Sequence, residues 1–184
     1  MMSTIQFLEL FTQTRAASEQ ICKPLQTEDY VVQPSVDVSP PKWHLGHTTW
    51  FFEEFLLDPH LPGYKRYHKN YAYVFNSYYE SIGKRVVRTD RGNLSRPSVE
   101  EVYKYRAYVS FHMKQLIENH LTEAVIPVLE IGIHHEKQHQ ELLLTDIKYI
   151  LGNNPLQPEC GAVANEEIIE NNPTRYIEIE EGIC

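Results

Sequence analysis

Cysteine is scarce in this 184-residue sequence: Cys22, Cys160 and Cys184 lie far apart and form no CxxC pair. That usage suits a reducing compartment. No apolar run approaches the length of a membrane span, and the N-terminus carries no signal-peptide pattern. Positive charge is also in deficit, since 17 Lys and Arg against 25 Asp and Glu leave a formal charge of −8. Such a balance argues against nucleic acid and against anionic membrane surfaces as partners. No alternating strand pattern appears before residue 170, and no segment repeats. These absences lead to the expectation of a soluble cytoplasmic protein, helical, and long enough to bury one core with an appendage.

Helical periodicity predicts four helices. The first covers about residues 3–22, with Phe7, Leu10, Phe11, Thr14, Ala17 and Ile21 as its stripe and Pro24 beyond its end. The second starts at Ser39, an N-cap candidate followed by Pro40, and ends before Pro59. Its inward arc would hold Trp43, His44, His47, Trp50, Phe51, Glu54 and Phe55. The third opens on Ser98-Val99-Glu100-Glu101, a capping-box spacing, and runs to about His120. The fourth spans about Thr122 to Leu151, with Gly152 as a C-cap and Pro155 beyond. The expected fold is all-α, a four-helix bundle over residues 1–157.

Two stretches exceed what a minimal bundle needs. Residues 58–97 would connect helices 2 and 3 by a loop too long for a simple link, and so with a use of its own. Six tyrosines (Tyr64, Tyr67, Tyr71, Tyr73, Tyr78 and Tyr79) precede Lys84, Arg85, Arg88, Arg91 and Arg96, opposed only by Asp90. In an acidic chain that cluster suggests an anionic ligand, because guanidinium forks match carboxylates. A solvated loop pinned by surface ion pairs explains the spacing equally well. Residues 158–184 turn small and acidic, then alternate as a strand would over Tyr176-Ile177-Glu178-Ile179-Glu180.

The chemistry concentrates in His134-His135-Glu136-Lys137-Gln138-His139. Residues four apart on a helix stand about 40° apart around the axis, one turn above each other. His135 and His139 can therefore aim two imidazoles at one point, as helices do when they hold a transition metal. The same arc should carry Val125, Val128, Gly132, Leu142, Asp146 and Ile150, which turns both histidines inward. There their ring nitrogens need partners. A third ligand can come from His44 or His47 on helix 2, and geometry does not separate the two. His134 lies about 100° from His135 on the wheel and should flank the site. His60, His68, His112 and His120 lack partner spacing and are expected at the surface or in packing. The string also satisfies H-E-x-x-H, with Glu136 as the would-be general base of a zinc metalloprotease. No further glycine and histidine follow His139 in the expected places, and Glu159 is weak support for another ligand. The protease is a minor alternative.

Ser39-Pro-Pro-Lys-Trp-His-Leu-Gly-His47-Thr-Thr-Trp-Phe-Phe-Glu53, Phe75-Asn-Ser-Tyr-Tyr-Glu80, Arg88-Thr-Asp-Arg91-Gly and His135-Glu-Lys-Gln-His139-Gln-Glu-Leu resemble the N-terminal domain of the EgtB family. These are non-heme iron sulfoxide synthases of ergothioneine biosynthesis, and that domain has a DinB/YfiT-like four-helix fold. The resemblance runs from roughly residue 5 onward. It implies Fe(II) on three histidines, His47, His135 and His139, with zinc or nickel as alternatives in isolated protein. It also implies that Arg88 and Arg91 hold carboxylates of the thiol substrate, γ-glutamylcysteine or cysteine, and that Gln138 helps place trimethylhistidine (hercynine). Glu54 and Asp146 are assigned only supporting roles, orienting ring N–H groups.

Family members continue into a sulfatase-modifying-factor-like domain that supplies the catalytic tyrosine. Residues 176–183 are similar to the first strand of that domain. The expectation is an iron-binding part of a synthase, inactive alone and needing the second domain in trans. The alternatives are a stand-alone thiol transferase of the DinB/YfiT type and a metal-binding module without catalysis.

Overall fold

The computed structural model describes residues 2–77 and 85–160. The described residues form six helices and no strand: α1 (Thr4–Cys22), α2 (Pro41–Phe52), α3 (Asp58–His60), α4 (Tyr71–Phe75), α5 (Val99–Asn119) and α6 (Val125–Gly152). Local chemistry fixes two of the starts. Ser3 Oγ accepts from the Gln6 N–H while Gln6 Oε1 accepts from the Ser3 N–H, and Ser98 with Glu101 repeats the arrangement. Each pair satisfies two orphan helix-end donors. The long helices close a four-helix bundle in which α1 and α2 each pack against both α5 and α6. The all-α bundle expected from the sequence is the observed fold.

Several boundaries differ. Ser39 does not cap helix 2. Its N–H donates to Asp146 Oδ2 at 2.9 Å, and Pro40 takes the cap position. Helix 2 does not stop before Pro59 either. After Phe52 the backbone widens into a π-turn, Glu53–Leu57, and resumes as α3 with Pro59 in its first turn. α6 begins at Val125 and includes Gly152, and Asn153 is the cap. The connection from α2 to α5 is not structureless. It carries α3, α4 and a 3-10 turn, Arg88–Asn93. Gln33 ties that turn down by donating to Arg88 O and accepting from the Gly92 N–H, and Lys42 Nζ donates to Leu94 O and Pro97 O.

The inward faces also depart from the helical wheels. On α1, Phe7, Phe11 and Thr14 are buried, but Ala17 is exposed and the charged Arg15 is buried with Ser18. On α6, Val125, Gly132, Asp146 and Ile150 are buried, whereas Leu142 is half exposed and Glu136 is fully buried. Every residue of α2 is buried. The buried acid beyond it is Glu53 rather than Glu54. Glu53 accepts from Tyr64 Oη, Tyr105 Oη and the Tyr67 N–H, which draws the tyrosine-rich segment onto the bundle. Glu54 instead pairs with Arg66. Both of its oxygens accept from Arg66, and it makes no hydrogen bond to a histidine ring among the described residues. Tyr78, Tyr79, Lys84 and the alternating stretch 176–183 lie outside the described residues.

Candidate metal centre

α2 contributes His47, and α6 contributes His135 and His139. One ligand nitrogen from each lies within 4.8 Å of the others. His47 Nε2 and His135 Nε2 are 3.2 Å apart. Two nitrogens bound at about 2.1 Å to one ion, at angles between octahedral and tetrahedral, would stand roughly 3.0–3.4 Å apart. The observed spacing fits. His47 Nδ1 donates to the Phe75 carbonyl at 2.5 Å, so its Nε2 carries the lone pair. His135 Nδ1 is buried with no hydrogen-bond partner among the described residues, which leaves its other nitrogen to answer for the ring.

Electrostatics favour the ligand form of all three rings. Burial pushes His135 down to about 4. Burial, then the neighbouring His135, lowers His47 well below the ordinary histidine range, and burial with His47 and His44 nearby lowers His139. Neutral imidazole is the species that binds metal. Three neutral nitrogen donors around one point suit a divalent transition metal of the imidazole-binding group, such as iron, zinc or nickel.

His44, which the sequence could not separate from His47, stands behind the triad. Its Nδ1 lies 2.9 Å from His139 Nδ1 and its Nε2 lies 2.9 Å from Asp146 Oδ2. Asp146 thus contacts His44 and not a triad ring. Trp43 stacks on His47 with centroids 4.5 Å apart and planes 11° apart, which stiffens that ring further.

The triad opens on a cavity of about 670 Å³. Arg88 and Arg91 from the 3-10 turn line it, along with Ser39, Trp43 and Tyr149. Arg91 is buried, lies 3.3 Å over the Trp43 ring and donates to Ser39 Oγ and Ser77 Oγ. Arg88 is exposed and donates to the Asp37 carbonyl. Both arginines share the cavity with the histidines. Gln138 and His134 are exposed and stand outside its lining. His60 and His112 are half-buried, while His68 and His120 are exposed.

Glu136 corrects the protease alternative. Its carboxylate accepts from Arg15 Nη1, Arg106 Nη2 and Ser18 Oγ in the bundle interior, and no atom of it reaches the cavity. A base facing away from the triad cannot activate water there. Glu159 is exposed beyond the end of α6. Sequence reading missed Arg15 and Arg106 as partners of Glu136 and missed Ser39 as a donor to Asp146. The only local signal for His44 was its three-residue spacing from His47.

No curated protein matches the chain. The family model of the DinB superfamily matches residues 10–143, a span that holds all three histidines and both cavity arginines. The histidine triad and most of the helical bundle thus sit within a single family match, and the chain belongs to the DinB superfamily.

Proposed function

We propose that this chain is the iron-holding domain of an O₂-dependent sulfoxide synthase of the ergothioneine type, joining hercynine to γ-glutamylcysteine or cysteine. The observation that carries the reading is the convergence of three imidazoles on a cavity whose wall bears Arg88 and Arg91. The motifs shared with that family, which include these five residues, support the choice within the superfamily. Iron(II) held by His47, His135 and His139 would supply exchangeable positions and electrons for thiol and dioxygen chemistry. The chain itself supplies binding and orientation. Trp43, Ser39 and Ser77 hold the Arg91 guanidinium in place, so its charge is presented at little further entropic cost. Arg88 meets the carboxylates of an acidic thiol from the open side. Gln138, exposed on α6 near His139, would reach hercynine from outside the cavity wall. By the resemblance, the catalytic tyrosine belongs to a sulfatase-modifying-factor-like domain, so the proposal includes that domain as a partner.

The test is anaerobic titration of the iron(II)-loaded protein with γ-glutamylcysteine, followed by turnover under air with hercynine and the partner domain. Charge-assisted contacts contribute about 1.5–3 kcal/mol each. Arg88→Ala or Arg91→Ala should therefore weaken thiol binding about tenfold or more. Unchanged binding in both variants would remove the arginines from the substrate site. Superfamily membership alone supports a second reading, a thiol transferase that activates a small thiol on zinc or nickel. Product formation without dioxygen, from a thiol and an electrophile, would favour it.

A further inference from the structure

We propose that His44 and Asp146 are positioning residues that set His139 in the ring orientation and tautomer needed to ligate through Nε2. The inference rests on reading His47, His135 and His139 as a metal site. Proton accounting along the chain of contacts carries it. Asp146 Oδ2 already accepts the Ser39 N–H at 2.9 Å, so it meets His44 Nε2, also at 2.9 Å, as an acceptor. The proton of the His44 ring therefore sits on Nε2, and its Nδ1 presents a lone pair. His139 Nδ1 stands 2.9 Å from that lone pair and must be the donor of the pair. With its proton on Nδ1, His139 keeps a free lone pair on Nε2.

The geometry makes this a built support. His44 is 3 % exposed and lies one turn before His47 on α2, while Asp146 lies two turns after His139 on α6. The dyad thus fastens the two ligand-bearing helices to each other beside the triad. Ligating histidines commonly give their second N–H to a carboxylate or carbonyl. His47 follows that rule with Phe75 O, whereas His139 reaches its carboxylate through an interposed imidazole. Arg91 touches the same support by donating to Ser39 Oγ at 2.8 Å.

The experiment is a cobalt(II) titration of the full chain against a competing chelator, read by the visible absorption of the bound ion. Wild type should bind one ion. His44→Phe, which keeps the ring but removes both nitrogens, should weaken binding about 10–100-fold. His44→Asn can still accept from His139 Nδ1–H, and it should restore a good part of that loss. The deciding arm is the pair with His139→Ala. Once His139 is gone, adding His44→Phe should cost nothing further, which a general packing defect would not reproduce. Wild-type affinity in His44→Phe would overturn the inference, as would an equal loss with and without His139. No cobalt binding by wild type would instead overturn the metal reading itself, and the positioning role with it.

Discussion

A single carboxylate, that of Glu136, lies between two guanidiniums inside the bundle: Arg15 Nη1 at 2.9 Å and Arg106 Nη2 at 3.0 Å, with Ser18 Oγ at 2.7 Å. Burial works to raise this carboxyl, but the two arginines outweigh it and hold it below the ordinary range. Arg106 also donates to Thr48, Thr49 and the carbonyls of Leu45 and Arg15, so one network locks α1, α2, α5 and α6 together. Glu136→Ala would leave buried Arg15 without its carboxylate partner and Arg106 with only Glu19, at 3.2 Å. Removing one partner of a buried pair typically costs about 3–5 kcal/mol. Urea unfolding should show a loss of that order, and a loss below about 1 kcal/mol would mean that water or rearrangement satisfies the arginines. This network was illegible in the sequence for a definite reason. Glu136 stands about 100° from His135 on the wheel, and spacing alone cannot say which of the two faces the cavity. Arg15 sits between Thr14 and Ala16 on α1 with no local sign of a partner, and its partner lies 121 residues away along the chain. The triad was legible, because His135 and His139 share a helix, but the choice between His44 and His47 came from resemblance and not from spacing.

At the scale of elements, α2 is the unusual helix, buried on every side between α5, α6, α4 and the loop. Its close approach to α4 depends on Gly46. A Cβ there would meet the Phe75 ring at 2.1 Å, too near for any adjustment short of moving the ring. Phe75 is also the residue whose carbonyl orients His47. Gly46→Ala should therefore act twice. Overpacking of this kind costs about 1–3 kcal/mol, and the displaced α4 should weaken metal binding by loosening His47. Unfolding and cobalt titration on the same variant check both effects, and wild-type values in the two together would show that α4 is not held as described. The four long helices were legible from periodicity and from the capping-box spacing at Ser98, signals that are local in the chain, whereas the box at Ser3 emerged only in the structure. α3, α4, the π-turn and the Arg88–Asn93 turn were not. These short pieces are held by distant contacts from Gln33, Lys42 and Glu53, and no local pattern announces such contacts.

For the molecule as a whole, burying neutral histidines makes stability depend on pH. His135 falls from an ordinary 6.5 to about 4 in the folded state. Between those values the unfolded chain binds a proton at this ring and the folded protein does not. Stability therefore rises with pH through that window and is lost as pH falls through it. His47 and His139 shift in the same direction and add to the effect. The net charge of −8 acts against it, since acid relieves self-repulsion among carboxylates. The histidine contribution should dominate, because it is borne by three buried rings within one site while the acidic groups are mostly spread over solvated surface. Metal-free protein should thus become easier to unfold in urea as pH drops from about 6.5 towards 4, and His135→Phe should flatten that slope. A metal ion held by the triad would bind only its deprotonated, folded form, so at a hundredfold excess over its Kd it should add about 2.7 kcal/mol at neutral pH. The increment should shrink as protons compete for the same nitrogens. Equal slopes for wild type and His135→Phe would mean that His135 is not held neutral by burial and that other groups set the acid limit of this fold.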